Sequence, residues 1–214
     1  MGTGVYEDLR KALIEYDKEL AIASAKKVVE QEMDPVKAFE VMTDAIREIG
    51  DGFGRGDLWL PDLVGASEAM SSAVPILEEE LKKKGLKRES VGIVVLGAVY
   101  GDIHTIGKTM VATLLTADGF TVHDLGVSIK PEVFVEAVRK YNADILAMSA
   151  LMTTTAPEQQ KTIELLKKED LRDKVKVIVG GGALTQDFAD SIGADGYDPT
   201  APGAPKLCRR LLGK

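Results

Sequence analysis

VGIVVLGAVYGDIHTIGKT, residues 91–109, is the stretch on which the fold turns. An apolar run rich in Val and Ile stops at Gly-Asp-Ile-His and re-enters a periodic pattern after Gly107. A run of this composition bounded by glycines reads as a parallel strand buried on both faces. The segment 107–117 behind it reads as a helix. Asp102, His104 and Gly107 therefore lie on a strand-to-helix loop, the place where open α/β sheets bind their ligands.

Further strands read at 121–124, 145–149 and 175–179, with a weak fifth at 195–197. Helices read at 131–141, 157–168, 186–192 and 205–212. Such alternation implies a parallel sheet with right-handed crossovers and helices on both faces. Five βα units favour the flavodoxin-like order 2-1-3-4-5, a Rossmann-like α/β domain over 89–214.

Residues 1–88 carry a helical period instead and read as a four-helix bundle, a cap domain. Leu9, Ala12, Leu13 and Tyr16 mark the first apolar stripe, and Leu20, Ala23 and Val28 the second. Asp34 and Pro35 suit the N-cap and first position of a third helix, with Phe39, Met42, Ile46, Ile49 and Phe53 inward. GFGRGDLWLPD, 52–62, reads as a glycine-rich break. A fourth helix from about Pro61 carries Leu63, Met70, Val74, Leu77 and Leu81 inward, holds Pro75 as an expected kink, and ends at Gly85. LKRES, 86–90, is the charged linker.

Composition narrows the function. The chain has 214 residues, 45% of them apolar, and a net charge of −7, which leaves no electrostatic footprint for nucleic acid. The single cysteine, Cys208, forms no internal disulfide and suits a reducing compartment. No secretory signal and no apolar run of roughly 20 residues is present, so a cytoplasmic protein without membrane partners is expected.

Two readings compete for the loop. Gly101 to Thr109 nearly spells a phosphate-binding loop, but five residues separate its glycines where four are required. The position that must be glycine is Asp102, whose carboxylate would repel phosphate. Read instead as a pair, Asp102 fixes the tautomer of His104 and leaves its other nitrogen for a metal. The plain alternative is an exposed loop histidine beside a helix cap. With only His104 and His123 as histidines, no closed zinc site is available. Elsewhere at the same sheet edge stand Ser149-Ala-Leu151 and Gly180-Gly181-Gly182.

Together these motifs resemble the corrinoid-binding proteins of methyltransferase systems and the cobalamin-binding region of methionine synthase. The family's Asp-x-His-x-x-Gly appears as Asp102-Ile-His104-Thr-Ile-Gly107, its Ser-x-Leu as Ser149-Ala-Leu151, and its Gly-Gly as Gly180-Gly181. The helical region upstream matches as well, so the resemblance covers nearly the whole chain. It implies a cobalamin or related corrinoid, cycling between methylcobalamin and cob(I)alamin, with His104 as axial cobalt ligand. Asp102 would bond the imidazole and Ser149 extend that network. Gly180, Gly181 and nearby Gly193 and Gly196 would admit the nucleotide tail, and Phe53, Leu60 and Leu63 would shelter the cobalt-bound methyl group. As bundle residues these three equally suit an ordinary core. Trp59 packs nearby and His123 reads as a structural strand residue. Thr105 departs from the Asp common in the family.

The implied function is a methyl carrier without catalytic residues of its own. It is loaded by a substrate-specific methyltransferase and unloaded by a second one, to tetrahydrofolate or a thiol, with a reductive activase as further partner. A corrinoid-dependent sensor and the cobalamin-binding subunit of a mutase are the alternatives.

Overall fold

The computed structural model describes residues 3–86 and 90–214. The chain divides into two compact units, Met1–Glu89 and Ser90–Lys214. Most of the expected 86–90 linker, residues 87–89, lies outside the described residues.

The first unit contains α1 (Thr3–Ile14), α2 (Lys18–Glu30), α3 (Pro35–Arg55) and α4 (Leu60–Lys83). Helices α2 and α3 each start on an aspartate whose carboxylate takes up an otherwise unpaired amide. Asp17 accepts from Leu20 N at 2.9 Å and Asp34 from Val36 N at 2.8 Å. Leu9, Leu13, Met42, Ile46, Leu63, Met70 and Leu77 are fully buried and form the interior.

Several details differ from the sequence pattern. Tyr16 lies past the end of α1 in a left-handed conformation, φ 60°, and its ring rests on Gly65. A Cβ at Gly65 would stand 2.8 Å from that of Tyr16, so the glycine makes room for the turn. Ala23 is exposed, and the buried face of α2 is Ala21, Ser24, Ala25 and Val28. The glycine-rich segment does not break at Gly52: α3 runs on to Arg55 and closes at Gly56, φ 81°. The chain then folds back, with Asp57 N donating to Gly52 O at 2.9 Å and Leu58 seated on Gly52. That closure satisfies the last carbonyls and offsets the weak helix propensity of glycine. α4 continues through Pro75, and Val74 is half-buried.

The second unit is a five-stranded parallel sheet of order β2-β1-β3-β4-β5, as the alternation predicts. In chain order it runs β1 (Ile93–Ala98), α5 (Ile106–Ala117), β2 (Thr121–Asp124), α6 (Pro131–Tyr141) and β3 (Ile145–Ser149). After these come α7 (Pro157–Lys168), β4 (Lys176–Gly180), α8 (Gln186–Ile192), β5 (Gly196–Tyr197) and α9 (Gly203–Leu211). Val95, Leu146 and Val177 pack on one face with Phe134, Ile163 and Leu166 of α6 and α7. Val94, Leu96, Ala147 and Ile178 pack on the other with Leu115 of α5 and Leu207 of α9. The strand order reverses between β1 and β3, so a crevice opens above the carboxyl ends of those two strands. Among the described residues no helix is long and apolar enough to cross a membrane.

Candidate functional site

The loop from β1 to α5 rises at this crevice. Asp102 is buried, 1% exposed, and four donors converge on its carboxylate. Oδ1 accepts the backbone N–H of His104 at 3.0 Å and pairs with its Nδ1 at 2.8 Å. Oδ2 accepts the backbone N–H of Leu151 at 2.7 Å and the hydroxyl of Thr155 at 2.9 Å. Burial alone would push the carboxyl up. The bonds from the His104 and Leu151 amides, the His104 ring and Thr155 outweigh it and bring the pKa down to about 2.

An ionised carboxylate can only accept, so the proton of His104 sits on Nδ1 and the lone pair on Nε2. The imidazole side chain is 46% exposed, and Nε2 is the ring nitrogen not committed to Asp102. Among the described residues no group of three or more His, Cys, Asp or Glu side chains converges. His104 can thus supply one ligand to a metal whose other positions belong to another molecule. That donor set suits a metal inside a macrocycle and does not suit a bare ion.

The surroundings fit a large flat partner. Ile103 and Ile106 flank His104, and Leu151 and Met152 follow β3; all four are exposed. Large apolar side chains left in water at one sheet edge mark a binding face. Below them, Ala98, Ser149 and Gly180 stand opposite one another across β1, β3 and β4. By strand alternation they share the α5–α9 face with Leu96, Ala147 and Ile178. The row is a shelf of small residues only, where the row beneath carries Leu96 and Ile178 on either side of Ala147.

The glycines sort by what a Cβ would meet. At Gly107, in the first turn of α5, it would meet nothing within 4 Å, and at Gly180 only Asp198 O at 4.0 Å. Neither has a positive φ, so the chain itself requires no glycine at either place. Gly181 differs: φ is +132° and a Cβ would lie 1.9 Å from Ala150 O. Backbone approach thus requires glycine at 181 for the chain's own sake, with or without a ligand tail beside it. Gly193 is the left-handed cap of α8, and Gly196 gives way to Leu207, so these two are also structural.

Ser149 needs a correction. No hydrogen bond among those described joins its hydroxyl to Asp102 or His104; Thr155 holds that position. The physical reason is the pleat. Ser149 sits inside β3 and projects toward α5 and α9, whereas Asp102 is reached from the loop leading into α7. Thr155 was missed because Thr153-Thr154-Thr155 before Pro157 reads as a turn. Leu151 contributes to the network through its backbone amide, while its side chain is one of the exposed apolar group.

The remaining residues are accounted for locally. Lys108, the lysine of the rejected phosphate-loop spacing, is buried and ion-paired with Asp124. His123 stacks on Tyr141 with ring centroids 3.7 Å apart, and burial followed by the Lys140 charge lowers its pKa. In the helical unit Leu63 is fully buried, Phe53 half-buried, and Leu60 and Trp59 exposed.

Residues 92–204 match the B12 binding domain family model, and residues 5–78 match a second B12 binding domain model. The chain belongs to the B12-binding corrinoid proteins. It is 42% identical over 210 residues to a corrinoid protein of Desulfitobacterium hafniense (strain Y51), with 97% of each chain covered. It is 41% identical over 204 residues to the trimethylamine corrinoid protein of Methanosarcina barkeri, with 95% of this chain and 94% of that one covered. Among solved structures, the methanol:cobalamin methyltransferase complex of Methanosarcina barkeri is similar with a TM-score of 0.82 and 26% identity. That match covers 100% of this chain and 82% of the other. A cobalamin-binding protein of Desulfitobacterium hafniense DCB-2 follows at 0.71 and 27%, over 96% and 98% of the two chains.

Proposed function

We propose that this corrinoid protein is the methyl-carrier subunit of a methyltransferase system, taking a methyl group from a substrate-specific methyltransferase and delivering it to a second one. The observation that carries the reading is the Asp102 carboxylate, committed to four donors and holding the half-exposed ring of His104 by Nδ1. Relatives named as trimethylamine and dimethylamine corrinoid proteins support the methyltransferase context. The acceptor of the second enzyme is tetrahydrofolate or a thiol, and a reductive activase completes the set of partners. The lone buried thiol, Cys208, agrees with a cytoplasmic setting.

The bound group is cobalamin or a related corrinoid, which supplies a cobalt centre able to accept and release a methyl group. Nε2 of His104 would supply the protein's ligand to the cobalt. Asp102 keeps Nδ1 protonated and sets the ring plane, and the Leu151 amide and the Thr155 hydroxyl fix Asp102 in turn. The shelf of Ala98, Ser149 and Gly180 would receive the nucleotide tail, and the open space at Gly107 would let a ligand approach the backbone. In the helical unit Phe53, Leu60 and Leu63 would shelter the methyl group; Leu60 is exposed, Phe53 half-buried and Leu63 fully buried.

Electron spin resonance of the cobalt(II) form tests the assignment. A superhyperfine pattern from protein nitrogen is expected, and His104→Ala should lose it while still binding corrinoid through the tail. A wild-type spectrum without that pattern would overturn the reading. The isolated chain should turn over no methyl donor.

A further inference from the structure

The loop that carries Asp102 and His104 is held at both ends by one neighbouring segment. At the first end, Ser128 grips the backbone twice. Its hydroxyl accepts from Gly101 N at 3.2 Å, and its own N–H donates to Asp102 O at 2.9 Å. Ser128 does this in the left-handed region, φ 54°, which a residue with a Cβ adopts at a cost. At the second end, the buried ammonium of Lys108 pairs with Asp124. Oδ1 of Asp124 also accepts from Gly126 N at 2.9 Å, tying the ion pair into the same turn. A strained residue and a buried cation on two sides of one loop exceed what joining β2 to α6 requires.

We propose that residues 124–128 form a clamp on the ligand loop, with Ser128 and Lys108 as positioning residues that set where His104 is presented. The proposal rests on the carrier reading only for what His104 binds. The clamp itself acts on the apo chain. Ser128 bonds to the backbone of Gly101 and Asp102, and the Lys108 ammonium to Asp124. Each acts through the loop backbone, which must be held within a fraction of an ångström for a ligand to meet its metal.

Three variants separate positioning from general stability: Ser128→Ala, Lys108→Met, and Ser191→Ala as a control. The control also deletes a hydroxyl bond, from Ser191 to Phe188 O at 2.7 Å, but in α8. Lys108→Met keeps the buried volume and leaves Asp124 partly in water, so folding should survive. Two readouts are taken on the full chain. In the apo protein, amide exchange at Gly101 to His104 should quicken about fivefold in Ser128→Ala, the worth of one neutral hydrogen bond, and stay unchanged in the control. With hydroxocobalamin reduced to cobalt(II), the fraction showing protein-nitrogen coupling should fall in both clamp variants, and Ser128→Asn should restore it. Asparagine tolerates positive φ and offers an oxygen. Unchanged exchange and unchanged nitrogen coupling in Ser128→Ala would overturn the clamp. So would equal effects in Ser191→Ala. A wild-type spectrum without nitrogen coupling would overturn the carrier reading instead, and the exchange result would still decide the clamp.

Discussion

The helical unit buries mainly apolar side chains with a few polar ones at its ends and seams, whereas the α/β unit builds a buried network of four donors around one carboxylate. In the bundle most buried side chains are apolar, the Lys83–Glu79 pair stands in water, and the one buried carboxylate among the described residues, Glu80, is met by Lys84 on the next turn of the same helix end. The α/β unit packs both sheet faces in the same way, yet it also buries the Asp102 carboxylate to 1% exposure. Burying a charge is costly unless every lone pair is met, and an apolar residue would suit the core better. Asp102 makes sense through the exposed imidazole it holds. The difference teaches where to look for function: at a polar group that folding would sooner do without.

The two neighbouring glycines of β4 and its turn give the largest expected contrast. Gly181→Ala forces a Cβ into Ala150 O at 1.9 Å and a side chain onto φ +132°. A loss of about 3 kcal/mol or more is expected, a fall in thermal midpoint on the order of 10 °C. Gly180→Leu enters open space above the shelf, so its midpoint should stay within about 2 °C while corrinoid titration fails. Normal uptake by Gly180→Leu would remove the shelf from the site.

How far this was legible from sequence follows the same division. Strand and helix placement were readable because burial on two faces leaves continuous apolar runs in the strands and burial on one face leaves a helical period between them. Asp102 and His104 were readable as a pair because two residues on a loop suffice for contact. Thr155 was not, since its link to Asp102 spans 53 positions and arises only when β1 and β3 pair. Gly180 and Gly181 look alike in sequence, and only the approach of Ala150 tells them apart. In the bundle Leu60 and Leu63 look equally apolar, and the turn of α4 decides which is buried.

That last pair gives the second test. Leu63→Ala should cost about 2–5 kcal/mol in denaturant unfolding, because a fully buried leucine leaves a cavity. Leu60→Ala should lie within about 0.5 kcal/mol of wild type, since its side chain is exposed. Equal losses would mean that Leu60 is structural and unavailable to shelter a ligand.

The smallest expected effect is also the most selective. The Asp102 carboxyl ordinarily titrates near 3.8, and the folded protein holds it at about 2. A carboxyl depressed by folding contributes stability that is complete above its unfolded pKa and is lost as pH falls through the folded one. The Asp102 contribution to the apo protein should therefore be intact above about pH 4 and disappear between about pH 4 and pH 2. Asp102→Asn should be less stable than wild type at neutral pH, because an amide nitrogen then faces donors, and the gap should narrow across that window. Glu79 in the helical unit is also lowered, by its hydrogen bond and charge contact with Lys83, but it lies in water. Salt on the order of 1 M screens such a surface pair and leaves the buried one standing. Trp59, the single tryptophan, reports the helical unit by fluorescence, while amide exchange at Leu151 reports the network. In high salt the acid-sensitive step should persist at Leu151 in wild type and be absent in Asp102→Asn. An identical acid profile for the two proteins would show that the network stores no charge-dependent stability, and the contrast between the units would rest on geometry alone.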